Sequence, residues 1–284
     1  MSVFKKLNWK IVLIFPIARA LAKSYYLTQV ARLVVRAYDN DCNADMYKNG
    51  EAKLLNMISS TRGDDSIFVD VGANVGDWSA ALIEGGGYTG RLVVIDPLKR
   101  NLAKVRERLG ALDYDNFDLC EYALSDRTGT ARFFSNKDQA LSAHDALYDM
   151  REIGYSDELD CVEVQCTTLD ELAGQLKILR IDFLKIDVEG NELSVLQGAK
   201  SSLSTGAIDF IQIEFGHAAR AAGVYLHDII NFVNEYDYKI FVIKPSGLLP
   251  LDFSPFTENQ YSYINSLLAQ NSVLDELEGH ILSR

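Results

Sequence analysis

Short apolar runs alternate with helical periodicity along the chain from about residue 40 onward. Ile67–Val71 (IFVDV) and Arg91–Ile95 (RLVVI) are rich in β-branched residues and bounded by polar turns, which is typical of buried strands. The next segment has apolar residues three and four positions apart, as on one helix face, at Leu98, Leu102, Val105 and Leu109. This alternation predicts an α/β protein with a mainly parallel sheet.

The same patterns predict the other elements of the chain. Further strands are predicted at Phe117–Tyr122, Ala131–Phe134, Cys161–Cys166, Asp182–Asp187, Asp209–Glu214 and Lys239–Ile243, with a last edge strand at Gln260–Leu268. Helices are predicted at residues 44–60 and at Asp77–Glu84, Glu192–Leu203 and Leu226–Tyr236. No repeat or linker divides residues 41–284, so we expect one domain there, preceded by a basic, amphipathic helical extension at residues 1–40.

The formal net charge of −12 is unevenly distributed along the chain. Residues 1–38 contain seven basic residues and no acidic residue, so all 40 acidic residues lie in the remainder. Binding to DNA or RNA depends on basic side chains that neutralise phosphates. A body this acidic is therefore not expected to bind nucleic acid.

The basic N-terminal segment has two interpretations, which the sequence leaves open. It either lies peripherally on an anionic membrane surface or packs as a basic helix on the acidic body. Its apolar run Ile11–Ile17 is much shorter than the ~20 residues that span a bilayer, and no small-residue cleavage site is evident. The four cysteines lack C-x-x-C spacing, so we expect reduced thiols and a cytoplasmic protein, with or without peripheral membrane contact.

The strongest local pattern is FVDVGANVGDWS at residues 68–79, in which a strand, a tight turn and a helix follow one another. In the dinucleotide-binding fingerprint G-x-G-x-x-G, the second glycine makes room for a pyrophosphate. This chain has Asn74 and Asp77 at the second and third glycine positions, and a carboxylate at a helix start repels phosphate. No Lys follows the glycines, as a P-loop requires. A dinucleotide site and a P-loop are therefore both disfavoured.

A ligand without phosphate, with an amino acid at one end and a nucleoside at the other, fits this pattern better. Asp70 ends the first strand and can reach an ammonium group, while N–H groups of the turn face a carboxylate. Asp96 ends the second strand and can accept hydrogen bonds from both ribose hydroxyls, as acidic residues do in dinucleotide folds. S-adenosyl-L-methionine has these parts, and the sequence predicts it as the cofactor.

At this point the chain resembles the FkbM-type methyltransferases, a family that depends on S-adenosylmethionine. The resemblance rests on residues 68–79, VVIDP at 93–97, ALSDRTGTARFF at 123–134, TTLDEL at 167–172, FLKIDVEGNELSVLQGA at 183–199 and IQIEFG at 211–216. It implies a Rossmann-like, doubly wound, mainly parallel sheet of seven strands. The cofactor contacts it implies are Asp70, Gly72, Ala73, Asn74, Gly76, Asp96, Tyr122 and Ala123.

Of these implied contacts, Asp96 departs from the family's usual residue and Tyr122 has a second interpretation. Relatives more often have Glu where this chain has Asp96, and the shorter side chain keeps the same chemistry with less reach to the ribose. Tyr122, which would flank the adenine, is equally well interpreted as an aromatic residue at the rim that makes no contact.

A second group of polar residues follows a later predicted strand. Alternation along the strand puts Lys185, Asp187 and Glu189 on one side, with both acids at the edge where open α/β folds bind ligands. Asp187 or Glu189 is interpreted as a base or as a group that orients the acceptor. Glu192 is instead interpreted as an acid that interacts with a helix dipole.

Three more residues are candidates for the same site. Glu214 ends the neighbouring predicted strand, and His217 and His144 have an ordinary pKa near neutrality that suits a general base. Asp187, Glu189 and Glu214 together are oxygen ligands of the kind that Mg²⁺ and Ca²⁺ prefer. Carboxylates alone do not require a metal, and none is expected.

The sequence therefore predicts a methyltransferase that transfers the sulfonium methyl group of S-adenosylmethionine to a hydroxyl. The resemblance implies a small-molecule or glycan acceptor, such as a sugar, a glycolipid or a natural product. Two alternatives remain open at this level. One is a non-catalytic regulatory protein that binds S-adenosylmethionine, and the other is an NAD-dependent enzyme, which Asn74 and Asp77 disfavour.

Overall fold

The computed structural model describes residues 9–40, 43–136, 145–147, 149, 159–216, 218–251 and 263–283. It contains two compact units, Met1–Cys42 and Asn43–Arg284. The first unit contains helices α1 (Trp9–Leu21) and α2 (Tyr25–Asp39), and the hydroxyl of Ser24 caps α2 by accepting from the Leu27 N–H at 3.4 Å. Within the described residues, no helix is both long and apolar enough to cross a membrane.

Most strands of the second unit overlap those predicted from the sequence, whereas the strands at Ala123–Leu124 and Gly247–Pro250 were not predicted. The strands are β1 (Ile67–Val71), β2 (Arg91–Ile95), β3 (Phe117–Cys120), β4 (Ala123–Leu124), β5 (Gly129–Asn136), β6 (Leu159–Thr167), β7 (Ile181–Ile186), β8 (Ile208–Phe215), β9 (Tyr238–Lys244), β10 (Gly247–Pro250) and β11 (Ile264–Gln270). In the described chain, eight of them form one sheet in the order β10-β9-β11-β8-β7-β1-β2-β3. Strands β3, β2, β1, β7 and β8 run parallel to one another.

Helices cover both faces of this sheet. Their bounds are α3 (Met46–Asn49), α4 (Glu51–Ser59), α5 (Asp77–Gly86), α6 (Lys99–Ala111), α7 (Leu169–Leu176), α8 (Glu192–Gln197), α9 (Lys200–Ser204), α10 (Ala219–Ala222) and α11 (Leu226–Val233), with a 3₁₀ helix at Asn271–Leu277. Helices α4, α5 and α6 bury their apolar residues with Phe68, Phe183 and Phe210 on one face. Helices α7, α8, α9 and α11 pack on Val69, Leu184 and Ile211 on the other. The predicted doubly wound, mainly parallel α/β fold is confirmed.

The structure corrects three details of the predicted fold. The main sheet has eight strands rather than seven, because β10 forms an antiparallel hairpin with β9. Strand β11 is not at the edge: it lies antiparallel between β8 and β9, and its nearly continuous burial reflects two neighbours. The helix predicted at residues 44–60 is divided at Gly50, which has φ of 106° and would bring a Cβ within 2.4 Å of the Lys244 carbonyl oxygen.

A small second sheet with the order β4-β6-β5 lies after the third strand of the main sheet. The predicted strands at 131–134 and 161–166 fall within β5 and β6, which pair antiparallel. Ala123 of β4, Phe133 of β5 and Val164 of β6 pack together with Leu98, which follows β2. This cluster attaches the small sheet next to the carboxyl end of β2.

The parallel strands bring their carboxyl ends to one edge of the sheet. At this edge the turn after β1 passes very close to the end of β7, and a Cβ on Gly72 would lie 1.8 Å from the Asp187 carbonyl oxygen. Gly72 therefore has a packing role that the sequence did not suggest, because its missing side chain lets the two strand ends meet. The two predicted groups of functional residues become neighbours as a result.

Candidate active site

A row of polar side chains crosses neighbouring strands near the carboxyl edge of the sheet. Asp70 of β1 is paired in register with Lys185 of β7, and Lys185 is paired with Gln212 of β8. Residues paired in this way point to the same face of the sheet. All three are buried, with exposed fractions of 0%, 7% and 1%. A row of polar groups this deep is stable only if its members pair with one another.

Lys185 is the centre of this row. Its Nζ lies 3.0 Å from Asp187 Oδ2 and 3.7 Å from Asp70 Oδ1, while Asp70 Oδ2 accepts a hydrogen bond from Ser79 Oγ at 2.7 Å. Burial by itself would lower the pKa of Lys185, but the nearby carboxylates outweigh burial and raise this pKa above its ordinary value. Lys185 is therefore an ammonium that links a fully buried carboxylate to a partly exposed one.

Glu214, near the end of β8, is a protonated and therefore neutral acid at neutral pH. Burial, followed by the negative charge of Asp187, raises the pKa of Glu214 to about 9. Glu214 therefore carries a proton at neutral pH and can donate a hydrogen bond as well as accept one.

The glycine turn after β1 is held by Asp96, which follows β2. Asp96 Oδ2 accepts from the Asn74 N–H at 3.0 Å, and its Oδ1 accepts from the Leu98 N–H at 2.8 Å and from Asn101 Nδ2 at 3.1 Å. Asn74 has φ of 49°, a left-handed conformation that asparagine tolerates better than most residues. Burial raises the pKa of Asp96 to about 7, so its charge changes near neutral pH.

The turn after β7 contains a strained residue. Glu189 has φ of 51°, and Gly190 follows it with φ of 101°. Left-handed backbone at a non-glycine residue costs of order 1–3 kcal/mol and is concentrated at functional sites. The neighbouring Glu192 is buried, and its Oε1 accepts from the Gly190 N–H at 2.9 Å, which supports the turn. Glu189 thus lies at the edge of the sheet in a turn that Glu192 stabilises through its hydrogen bond with Gly190.

One cavity of about 490 Å³ collects most of the predicted site residues. Its wall includes the predicted residues Gly72, Ala73, Asn74, Asp96, Tyr122, Ala123, Lys185, Asp187 and Glu189, together with Glu214. Asp70 and Gly76 are not among the described lining residues. Asp70 is buried behind Lys185, and a Cβ on Gly76 would lie 3.1 Å from Val105 Cγ2. These two residues support the wall from behind, so a direct contact of Asp70 with a cofactor stays a prediction.

Two histidines were also predicted as candidates for the base, and three carboxylates as ligands of the alternative metal site. His217 and His144 lie outside the described residues. In the part of the chain that the structure describes, no group of three or more His, Cys, Asp or Glu is arranged to hold a metal ion.

The cavity also has lining residues that the sequence did not indicate. They are Tyr47, Glu51, Trp78, Arg108, Phe133, Leu147 and Tyr263, among others. Trp78 is the second residue of α5, two positions after Gly76, so its closeness to the glycine turn in sequence could have indicated it. Glu51 and Tyr263 are far from the motifs in sequence and reach the site only because α4 and β11 pack beside β8.

The fold and this cavity define an α/β protein with a ligand site at the carboxyl edge of a parallel sheet. A family model described as a methyltransferase FkbM domain matches residues 70–240, more than half of the chain. The chain belongs to this family of methyltransferases.

Comparisons with individual proteins give more distant matches. The chain is 28% identical over 156 residues to the 2-O-methyltransferase NoeI of Sinorhizobium fredii, a match that covers 52% of this chain and 63% of NoeI. The solved structure of methyltransferase FkbM from Methylobacillus flagellatus is 19% identical with a TM-score of 0.45, covering 72% of this chain and 44% of that one. The O-methyltransferase TomG of Streptomyces achromogenes is 12% identical with a TM-score of 0.41, covering 78% of each chain. The chain thus spans less than two thirds of NoeI and less than half of the Methylobacillus protein.

The geometry of Lys185 predicts a coupled effect on stability. Lys185→Met leaves the buried Asp70 carboxylate without its cation, and Asp70→Asn leaves the ammonium with one carboxylate fewer. We expect Lys185→Met alone to lower the free energy of unfolding by about 3–5 kcal/mol. The double variant should lose less than the sum of the two single losses, by about 1–3 kcal/mol, in urea unfolding. Strictly additive losses would show that the two side chains do not interact.

Proposed function

We propose that this protein transfers a methyl group from S-adenosyl-L-methionine to a hydroxyl of a sugar, a glycan, a glycolipid or a natural product. The proposal rests on one observation. The glycine turn with Asp96 lines the same cavity as the side chains of Lys185, Asp187 and Glu189. A methyl donor and an acceptor must meet within bonding distance and in line, so a shared cavity is what the reaction requires.

The residues of the cavity fit this cofactor. Asp96 is suited to accept from a ribose hydroxyl through Oδ2, which has a lone pair beyond its bond from the Asn74 N–H, whereas Oδ1 already accepts from Leu98 and Asn101. The wall beside it is apolar and suits a flat base, with side chains from Tyr122, Leu124, Phe133 and Leu147. When bound, S-adenosylmethionine supplies an electrophilic methyl group on a sulfonium.

Asp187 is the residue that we propose takes the proton of the acceptor hydroxyl. The bond from the hydroxyl oxygen to the methyl carbon forms as the bond from sulfur to that carbon breaks, and the proton passes to a carboxylate oxygen of Asp187. Its side chain is 26% exposed and lines the cavity, whereas Lys185 and Asp70 behind it are buried. Lys185 keeps its proton and acts as a positioning residue, and Glu189 is the second candidate for the base.

The comparison with NoeI supports oxygen as the acceptor atom. NoeI is described as a 2-O-methyltransferase, and the match with this chain includes 156 aligned residues. Two carboxylates near an acceptor hydroxyl also suit O-methylation, because a hydroxyl must lose a proton as it is alkylated.

Binding of S-adenosylhomocysteine, the product form of the cofactor, tests the cofactor site. We expect the affinity to rise between pH 6 and pH 8, because Asp96 loses its proton in this range and its charged form accepts more strongly from the ribose hydroxyls. Asp96→Asn should weaken binding by at least ~10-fold at pH 8 and remove the pH dependence. Isothermal titration calorimetry measures both.

Asp118→Asn is the matched control for this experiment. Asp118 pairs with Arg91 near the amino edge of the sheet, so its removal should leave the affinity unchanged. Binding of NAD in place of S-adenosylhomocysteine would contradict the proposal. Binding of S-adenosylhomocysteine without transfer of a labelled methyl group to glycan or small-molecule extracts would instead favour the non-catalytic alternative.

We also propose that the N-terminal unit makes peripheral contact with an anionic membrane. Residues 1–38 contain seven basic residues and no acid. Apolar side chains on α2 are largely exposed, with Tyr26, Leu33 and Val34 at 74%, 67% and 63%. Helices that combine basic and apolar side chains in this way bind at the interface of anionic bilayers.

Co-sedimentation with phosphatidylglycerol vesicles tests this contact. Replacing Leu33 and Val34 together by Ser should lower the affinity of the full chain for the vesicles by at least ~100-fold, since each apolar side chain contributes roughly 1.5–3 kcal/mol when buried. Leu179→Ser is the matched control, because Leu179 is 91% exposed in the other unit. An unchanged partition in the double variant would favour packing of the basic helix on the acidic body.

A further inference from the structure

Two acidic side chains lie next to each other at the carboxyl edge of the sheet. Ile186 of β7 and Ile213 of β8 are paired in register, and the residues that follow them are Asp187 and Glu214. Both acids line the cavity, and the negative charge of Asp187 acts on Glu214. Carboxyl groups this close to each other are both ionised only where a cation neutralises the pair.

The cations of the cavity wall are already paired with other acids. Among the described lining residues, the cationic side chains are Lys185 and Arg108. Lys185 Nζ lies 3.0 Å from Asp187 Oδ2, and Arg108 pairs with Asp77 at the glycine turn. Within the described residues, neither cation forms an ion pair with Glu214. Glu214 is therefore the acid that holds a proton before a ligand binds, in agreement with its raised pKa.

Other elements packed against Glu214 supply negative or neutral groups. Glu51 of α4 is buried, and its charge acts on Glu214, as does that of Glu189 in the turn after β7. Tyr263, just before β11, hydrogen-bonds to the Glu214 side chain. Asn265 is paired in register with Glu214 and donates through Nδ2 to Glu51 Oε1 at 2.8 Å. None of these four neighbours provides the positive charge that a carboxylate at this position requires.

The proposed cofactor carries the missing positive charge. Methyl transfer requires the methyl carbon to lie within bonding distance of the hydroxyl whose proton Asp187 takes. The sulfonium sulfur is one bond away from that carbon, so its charge must lie close to Asp187 and to the adjacent Glu214. S-adenosylhomocysteine has the same amino acid and nucleoside parts, but its sulfur is uncharged and lacks the methyl group. Comparison of the two forms therefore isolates the effect of the sulfonium.

We propose that Glu214 exchanges a proton in each reaction cycle, releasing it to solvent when S-adenosylmethionine binds and regaining one when the methyl group is transferred. This inference rests on the proposed function and adds a second residue to its proton path. As the bond from sulfur to carbon breaks, the hydroxyl proton passes to Asp187. It then passes to the Glu214 carboxylate, because the positive charge that favoured the ionised form is gone. One proton leaves on binding and one arrives from the hydroxyl, so each cycle releases one proton.

Proton release on cofactor binding tests the proposal without an acceptor. The full chain is titrated calorimetrically with each form of the cofactor at about pH 7.5 in phosphate, HEPES and Tris, whose ionisation enthalpies differ. The slope of binding enthalpy against ionisation enthalpy gives the number of protons exchanged. We expect S-adenosylmethionine to release at least ~0.5 proton more than S-adenosylhomocysteine. Proton exchange at Asp96 cancels in this difference, because both forms have the same nucleoside. Equal release, or greater release with S-adenosylhomocysteine, would overturn the inference.

Glu214→Gln identifies the residue that exchanges the proton. Glutamine resembles the protonated acid in shape and charge, so binding of S-adenosylhomocysteine should be retained, and the difference in proton release should fall below ~0.1 proton. An unchanged difference would show that another group releases the proton and would overturn the assignment to Glu214. Glu235→Gln is the matched control, since it makes the same chemical change at an exposed residue after α11 and should keep the full difference.

Infrared difference spectroscopy gives a second measurement on the unmodified chain. Protonated carboxylic acids have a separate C=O stretching band, and ¹³C labelling of glutamate carboxyl groups distinguishes this band of Glu214 from that of any aspartic acid. The labelled band should be weaker in the complex with S-adenosylmethionine than in the complex with S-adenosylhomocysteine. Equal bands in the two complexes would overturn the inference, even if Glu214→Gln failed to fold.

The outcomes separate this inference from the proposed function. If neither form of the cofactor binds, the proposed function fails and the inference fails with it. If both forms bind and release the same number of protons, the inference alone is overturned.

Discussion

The buried ammonium of Lys185 is the interaction on which the rest of this site depends. It lies between a carboxylate with no exposure, on the first strand of the sheet, and a carboxylate that faces the cavity. Without a cation at this position, Asp70 would be an isolated buried charge, and Asp187 would have nothing to hold its orientation. Because Asp70 lies just before the glycine turn and Asp187 follows β7, the Lys185 side chain links the proposed cofactor part of the site to the proposed acceptor part.

Acidic side chains at this edge of the sheet differ in pKa because they differ in burial and in the charges around them. Burial raises the pKa of Asp96 to about 7 and that of Glu214 to about 9, so at neutral pH the first is partly charged and the second is neutral. Asp187, beside Lys185, is the carboxylate suited to accept a proton. The formal charge of the acidic residues therefore overstates the charge that a ligand meets in the cavity.

The sequence predicted the local features well and the long-range ones poorly. Strands β1 and β2 were predicted residue for residue, because short apolar runs between polar turns depend only on neighbouring positions. The contribution of Glu51 depends on packing between segments more than 150 residues apart in the chain, as in the bond between Gln212 and Glu51. The internal position of β11 depends on its pairing with both β8 and β9, which the local pattern of its residues does not show. The prediction for Gly72 was likewise incomplete. The sequence suggested only that its missing side chain makes room for a ligand, whereas in the structure the backbone at Asp187, just after β7, also passes close to it.

The central claim is that Asp187 takes a proton during methyl transfer in a cavity that also holds the cofactor. The most direct measurement is the rate of labelled methyl transfer to a glycan extract by Asp187→Asn, alongside its affinity for S-adenosylhomocysteine. We expect a rate at least ~100-fold below that of the unmodified protein, with the affinity unchanged within about two-fold. An unchanged rate, or a loss of cofactor affinity as large as the loss of rate, would contradict it.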